Sequence, residues 1–249
     1  MTDRPAPRLT AAFGIKAILA LQIGIAAILF GGDLARVIPK MGFSPDAPRL
    51  TGPVLPGDQT RRYDRKHVPT NPDLPGTGDM PSRLMFEADG NTLRMTGAIA
   101  EGDAERLTDW LTGREMPNTV QLHSTGGSVQ DALAIGKTLR GGEANTEITE
   151  GAVCLSACPY ILASGTERHV HKDGFVGVHQ HYFGENIALP AFLAVEDIQR
   201  GQGQVMTYLD AMGIDPLLMQ HALVTPPEEI YVLLPEELET YKLATKITE

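Results

Sequence analysis

The stretch NTVQLHSTGGSVQDALAIGKTLR, residues 118–140, decides the fold. Its first seven residues alternate apolar and polar and read as a strand; after two glycines, Val129, Ala132, Leu133, Gly136 and Leu139 recur at helical spacing. A strand that hands over to a helix through a tight turn is half of a parallel strand-helix-strand unit. The same order continues outward. Downstream, TEITE (146–150) reads as a strand, a further strand ends near Val153, a helix runs from Ala157 to Ala163, and a strand covers Val176 to Gln180. Upstream, LMFEA and TLRMTG flank the Asp89-Gly90-Asn91 turn as two short strands, and Gly102 to Arg114 reads as a helix with Leu107, Trp110 and Leu111 on one side. The alternation predicts an α/β fold with mainly parallel strands, and its crossover loops are where chemistry is to be sought.

Two of those loops carry candidate groups. In Ser124-Thr125-Gly126-Gly127-Ser128 the adjacent glycines let the backbone turn tightly and bring bare N–H groups close to an anion or a polarised carbonyl oxygen. A plain tight turn needs the same glycines. In GAVCLSAC (151–158) Ser156 sits where a strand passes into a helix, so its hydroxyl and the N–H of Ala157 point into one space, the pattern of a nucleophile beside an oxyanion donor. A helix cap is the plainer role for such a serine. A base is at hand in VGVHQHYF, which puts His179 and His181 on one strand face; a neutral imidazole accepts a hydroxyl proton near neutral pH. Zinc would need four converging ligands, and His123, His169, His171, His179 and His181 have no Asp, Glu or Cys at matching spacing, so no metal and no cofactor are expected.

The N-terminal region differs in character. From Ala11 to Gly32 only Lys16 and Gln22 interrupt apolar residues and glycine, and 22 residues of helix reach roughly 30 Å, the thickness of a bilayer's hydrocarbon core. A cleavable leader has a shorter apolar run and a small-x-small site, which Phe30-Gly31-Gly32-Asp33 is not. The expected organisation is a tail (1–10), a transmembrane helix (11–32), a linker (33–82) holding nine of the eighteen prolines, and a folded domain (83–249). Residues 1–40 carry +3 within a chain of net −10, and the basic residues before the span favour, slightly, a cytoplasmic N-terminus with the bulk of the chain outside. The acidic remainder excludes nucleic acid as a main partner. Outside the cytoplasm Cys154 and Cys158 are expected to form a disulfide across the serine corner; inside, they would be buried thiols.

Taken together, three blocks resemble the Clp protease proteolytic subunit (ClpP) family within the crotonase-like superfamily: STGGSVQDALAIGKTLR (124–140), GAVCLSACPYILASGTER (151–168) and FVGVHQ (175–180). The resemblance covers roughly residues 83–240 and is nearest to the membrane-tethered, extracytoplasmic bacterial branch. It implies a ClpP/crotonase-like spiral of β-β-α units and a serine peptidase acting on peptide or protein. Ser156 would be the nucleophile, His179 the base, and Gly127 and Ala157 the oxyanion donors. The third triad member falls in TPPEEIYVLLPEEL (225–238), with Glu229 the nearest match and Glu228 and Asp215 behind it. Thr125 stands where the family has proline, and the typical soluble subunit lacks the cysteine pair. Helix 193–213 would pack against neighbouring copies in a homo-oligomer, though core packing explains its apolar stripe as well. The implied location is the inner membrane, with the domain in the periplasm. Against the hydrolase stands an inactive binding or scaffold module on the same fold. Crotonase-type coenzyme A chemistry, which needs the two donors but no serine, is disfavoured where coenzyme A is scarce.

Overall fold

The structure, a computed structural model, describes residues 11–37, 59–63, 80–181 and 191–249, leaving undescribed within them the side chains of residues 11, 12, 14, 29–37, 61, 62, 191–194 and 196. The chain divides into two compact units, residues 1–46 and 47–249. In the first, Ala11–Val37 forms one helix of 27 residues, α1, five residues longer than the expected span. Among the described residues no helix is long and apolar enough to cross a membrane, so the span expected at 11–32 has no support from them. Several of the side chains at its two ends lie outside the described residues.

The second unit is an α/β domain with two mixed sheets. In chain order its elements are β1 (Thr60–Arg62), β2 (Met85–Asp89), β3 (Thr92–Thr96), α2 (Asp103–Leu111), β4 (Thr119–His123), α3 (Val129–Gly141), β5 (Asn145–Ile148), β6 (Val153–Leu155), α4 (Cys158–Leu162), β7 (Arg168–His171), β8 (Phe175–Val178), α5 (Ala191–Ala211), α6 (Met219–Val224), β9 (Glu229–Val232), α7 (Pro235–Thr240) and β10 (Lys246–Thr248). A six-stranded sheet runs β10-β7-β5-β4-β3-β2 and a four-stranded sheet β1-β9-β8-β6. The β2–β3 hairpin is antiparallel, whereas β3, β4, β5, β7 and β10 pair in parallel, as helical crossovers require.

The sheets meet at Ser124. Its N–H donates to Val153 O at 2.7 Å and its carbonyl accepts from Leu155 N at 3.0 Å, so the end of β4 leaves one sheet and joins β6 of the other. The apolar side of β3, β4 and β5 (Leu93, Met95, Val120, Leu122 and Ile148) packs with Leu107 of α2 and Ile135 and Leu139 of α3 in one buried core. Burying each such side chain contributes about 1.5–3 kcal/mol, which fixes the strand ends that bear the functional loops.

Two features depart from the sequence expectation. The segment expected as linker contributes β1, which pairs antiparallel with β9, Thr60 opposite Tyr231 and Arg62 opposite Glu229. The strand expected to reach Gln180 stops at Val178, because the Gln180 N–H donates to Thr225 O instead of to a ladder partner. His179 and His181 therefore lie beyond the strand rather than on one of its faces.

Candidate active site

Ser156 follows β6 directly and has φ of +61°, a left-handed conformation that costs a non-glycine residue roughly 1–2 kcal/mol. Two constraints hold it there. Its N–H donates to Gly177 O in β8 at 2.9 Å, and a Cys154–Cys158 disulfide, with Cα atoms 5.1 Å apart, spans the corner. The expected cross-link is thus present around the serine.

The glycine loop faces this corner. Gly126 has φ of +83°, and a Cβ there would lie 2.6 Å from Ser156 Cβ and 2.7 Å from Ala157 N. Only a residue without a side chain leaves that space open. At Gly127 a Cβ would meet Ile99 O at 2.0 Å, because Ile99 clamps the loop from the other side: its N–H donates to Gly126 O at 2.9 Å and its carbonyl accepts from Ser128 N at 2.8 Å. The clamp is itself anchored. Buried Asp103 accepts from the N–H groups of Leu84 and Ala100 and from Arg83 and Arg106. Burial alone would raise the Asp103 carboxyl, but those hydrogen bonds outweigh it and hold it below its ordinary range. The N–H groups of Gly127 and Ala157 donate no hydrogen bond among the described residues, so both amides are uncommitted beside the serine loop.

His179, only 4% exposed, completes the constellation. Its Nε2 lies 2.7 Å from Ser156 Oγ, and its Nδ1 lies 2.9 Å from the carbonyl oxygen of Pro227. A carbonyl only accepts, so Nδ1 carries the proton and Nε2 presents its lone pair to the serine hydroxyl. Glu229, expected as the third member, does not take this place: it starts β9 opposite Arg62, and a main-chain oxygen two residues earlier orients the imidazole. Nor do the two reserves. Among the described residues neither the Glu228 nor the Asp215 carboxylate hydrogen-bonds to His179, and the Asp215 side chain instead accepts from Leu217 N at 2.9 Å, capping a short turn.

The structure thus brings together Ser156, His179 and the loops of Gly127 and Ala157, and among the described residues gives Glu229 no hydrogen bond to His179. Sequence reasoning missed Pro227, whose role needs only the carbonyl that every residue has, and the part of Gly126, whose absent side chain keeps the Ala157 amide open. It also missed Tyr63, whose ring stands edge-on to His179 with centroids 4.7 Å apart.

Three of the other histidines have structural partners. His123 Nδ1 accepts from Val153 N, His171 Nδ1 from Asp173 N, and His181 Nε2 pairs with Tyr160 Oη at 2.8 Å. Burial, and secondarily the nearby His179, lower His181 to about 4, which keeps it neutral beside His179. Among the described residues no group of three or more His, Cys, Asp or Glu is placed to hold a metal ion. An alcohol hydrogen-bonded to an imidazole, with uncommitted amides in the adjoining loops, is chemically able to carry out acyl transfer. No protein-family model matches the chain, and no curated protein matches it.

Proposed function

We propose that this chain is a serine hydrolase of the ClpP/crotonase type, acting on peptide bonds. The observation that carries the reading is the 2.7 Å hydrogen bond between Ser156 Oγ and His179 Nε2 at a buried imidazole whose other nitrogen is already committed. Ser156 Oγ attacks the substrate carbonyl while Nε2 takes its proton. The N–H groups of Gly127 and Ala157 hold the oxyanion, each such donor being worth about 3–4 kcal/mol of barrier. The imidazolium returns the proton to the leaving amine, and water repeats the cycle on the acyl-enzyme.

The finer architecture in this proposal is a spiral of β-β-α units. Its support is the run of parallel strands β3, β4, β5 and β7, with α2 following β3 and α3 following β4. The proposed location is the inner membrane, with the domain in the periplasm. Eight large apolar side chains of α1 between Phe13 and Ile28 are half or more exposed, which water does not favour, and the disulfide fits an oxidising compartment.

The test is labelling with a fluorophosphonate, which reacts with an activated serine. Wild-type chain is expected to label with saturable kinetics and in the membrane fraction of cells, and Ser156→Ala to abolish labelling. A folded wild-type chain that does not label supports the binding-module reading instead.

A further inference from the structure

We propose, resting on the hydrolase reading, that Tyr63 is a positioning residue of the site, delivered to it by β1. The segment Gln59–Tyr63 lies far from the rest of the domain in sequence, yet it is fastened along its whole length. At one end Gln59 O accepts from Val232 N at 2.8 Å, and Gln59 Nε2 donates to Tyr231 Oη at 2.6 Å and to Glu237 Oε2 at 3.0 Å. In the middle, β1 pairs with β9. At the other end sits Tyr63, and it touches all three parts that the reaction needs to keep in register.

Its N–H donates to Glu228 O at 3.0 Å, the carbonyl next to the Pro227 carbonyl that orients the base. Its ring meets the His179 imidazole edge-on, at an interplanar angle of 62°. Its hydroxyl donates to the carbonyl of Thr125, the residue before the two glycines of the oxyanion loop. One residue thus ties the base and the oxyanion loop through its side chain, and through its main chain the carbonyl next to the base's partner. A packed ring restricts the rotation of His179, and the hydroxyl limits the travel of the loop that carries the Gly127 amide. Residues 59–63 of the linker are then part of the active site, not only a spacer before it.

The test compares full-length wild type, Tyr63→Phe and Tyr63→Ala in detergent. The maximal fluorophosphonate labelling rate (kinact) is separated from the concentration giving half that rate, and the NMR signals of the His179 imidazole protons are recorded. Tyr63→Ala is expected to lower kinact about tenfold with half-saturation unchanged, and Tyr63→Phe, which keeps the ring but loses the hydroxyl, to recover most of that while staying about threefold below wild type. The imidazole signals are expected to shift in Tyr63→Ala and stay near wild type in Tyr63→Phe. Should Tyr63→Ala not fold, Tyr63→Phe decides: a wild-type kinact overturns the proposal. So does a folded Tyr63→Ala with unchanged or higher kinact, or with unmoved imidazole signals. A wild type that does not label at all removes the hydrolase reading and any positioning role with it, whereas labelled wild type with an indifferent Tyr63 removes this proposal alone.

Discussion

Two corners of the same kind build the site by different means. After β4 the chain turns at Gly126-Gly127, where shape comes from absent side chains: one Cβ would fill the space before Ala157 N, the other would strike Ile99 O. After β6 it turns at Ser156, where a side chain is indispensable and the left-handed backbone is held by a cross-link and by the bond to Gly177. A loop that only has to present an amide can be shaped by glycine. A loop that has to present a hydroxyl needs external restraint.

The comparison breaks most completely at Gly126. Gly126→Ala sets a methyl 2.7 Å from the Ala157 amide and a side chain on a left-handed backbone, so one donor is lost to the oxyanion. The fluorophosphonate labelling rate is expected to fall by about 10²-fold or more, the effect of deleting one oxyanion donor. Labelling within tenfold of wild type in a folded variant would show that this amide is not used.

At the second corner the restraint is removable without touching the serine. The disulfide closes a loop of five residues, for which chain entropy gives a stabilisation of about 2 kcal/mol. Cys154→Ala/Cys158→Ala is expected to lower Tm by about 4–8 °C and kinact by about tenfold, since Ser156 gains freedom to leave its attacking position. Unchanged kinact beside a lowered Tm would mean that the bond to Gly177 alone sets the serine.

The two corners were also unequally legible. Paired glycines and a serine between a strand and a helix announce themselves by residue type, and so did His179 after an apolar run, because the chemistry there belongs to side chains. The base's partner did not, because Pro227 acts through its main chain and is chosen by where β9 begins. Tyr63 was hidden for another reason. A three-residue strand has no periodicity to detect, and its pairing with β9 bridges more than 160 residues inside a segment dominated by proline. The parallel core was readable from alternation alone, whereas the division into two sheets was not, since it depends on the single residue Ser124 changing partners.

The smallest expected effect sharpens what the base requires. If Glu229 were the third member, Glu229→Gln would cost about 10⁴ in rate, as comparable triad substitutions do, chiefly because an amide can donate to the histidine and force the wrong tautomer. The Pro227 carbonyl has no proton to give, so it keeps Nδ1 protonated and Nε2 free whatever residue 229 is. Its shortcoming is charge: a neutral oxygen steadies an imidazolium less than a carboxylate does, so the proposed hydrolase would be slower with intact geometry. Glu229→Gln is therefore expected to keep kinact within about twofold of wild type. A fall of tenfold or more, with Tm unchanged, would return Glu229 to the catalytic set and reduce the carbonyl to a bystander.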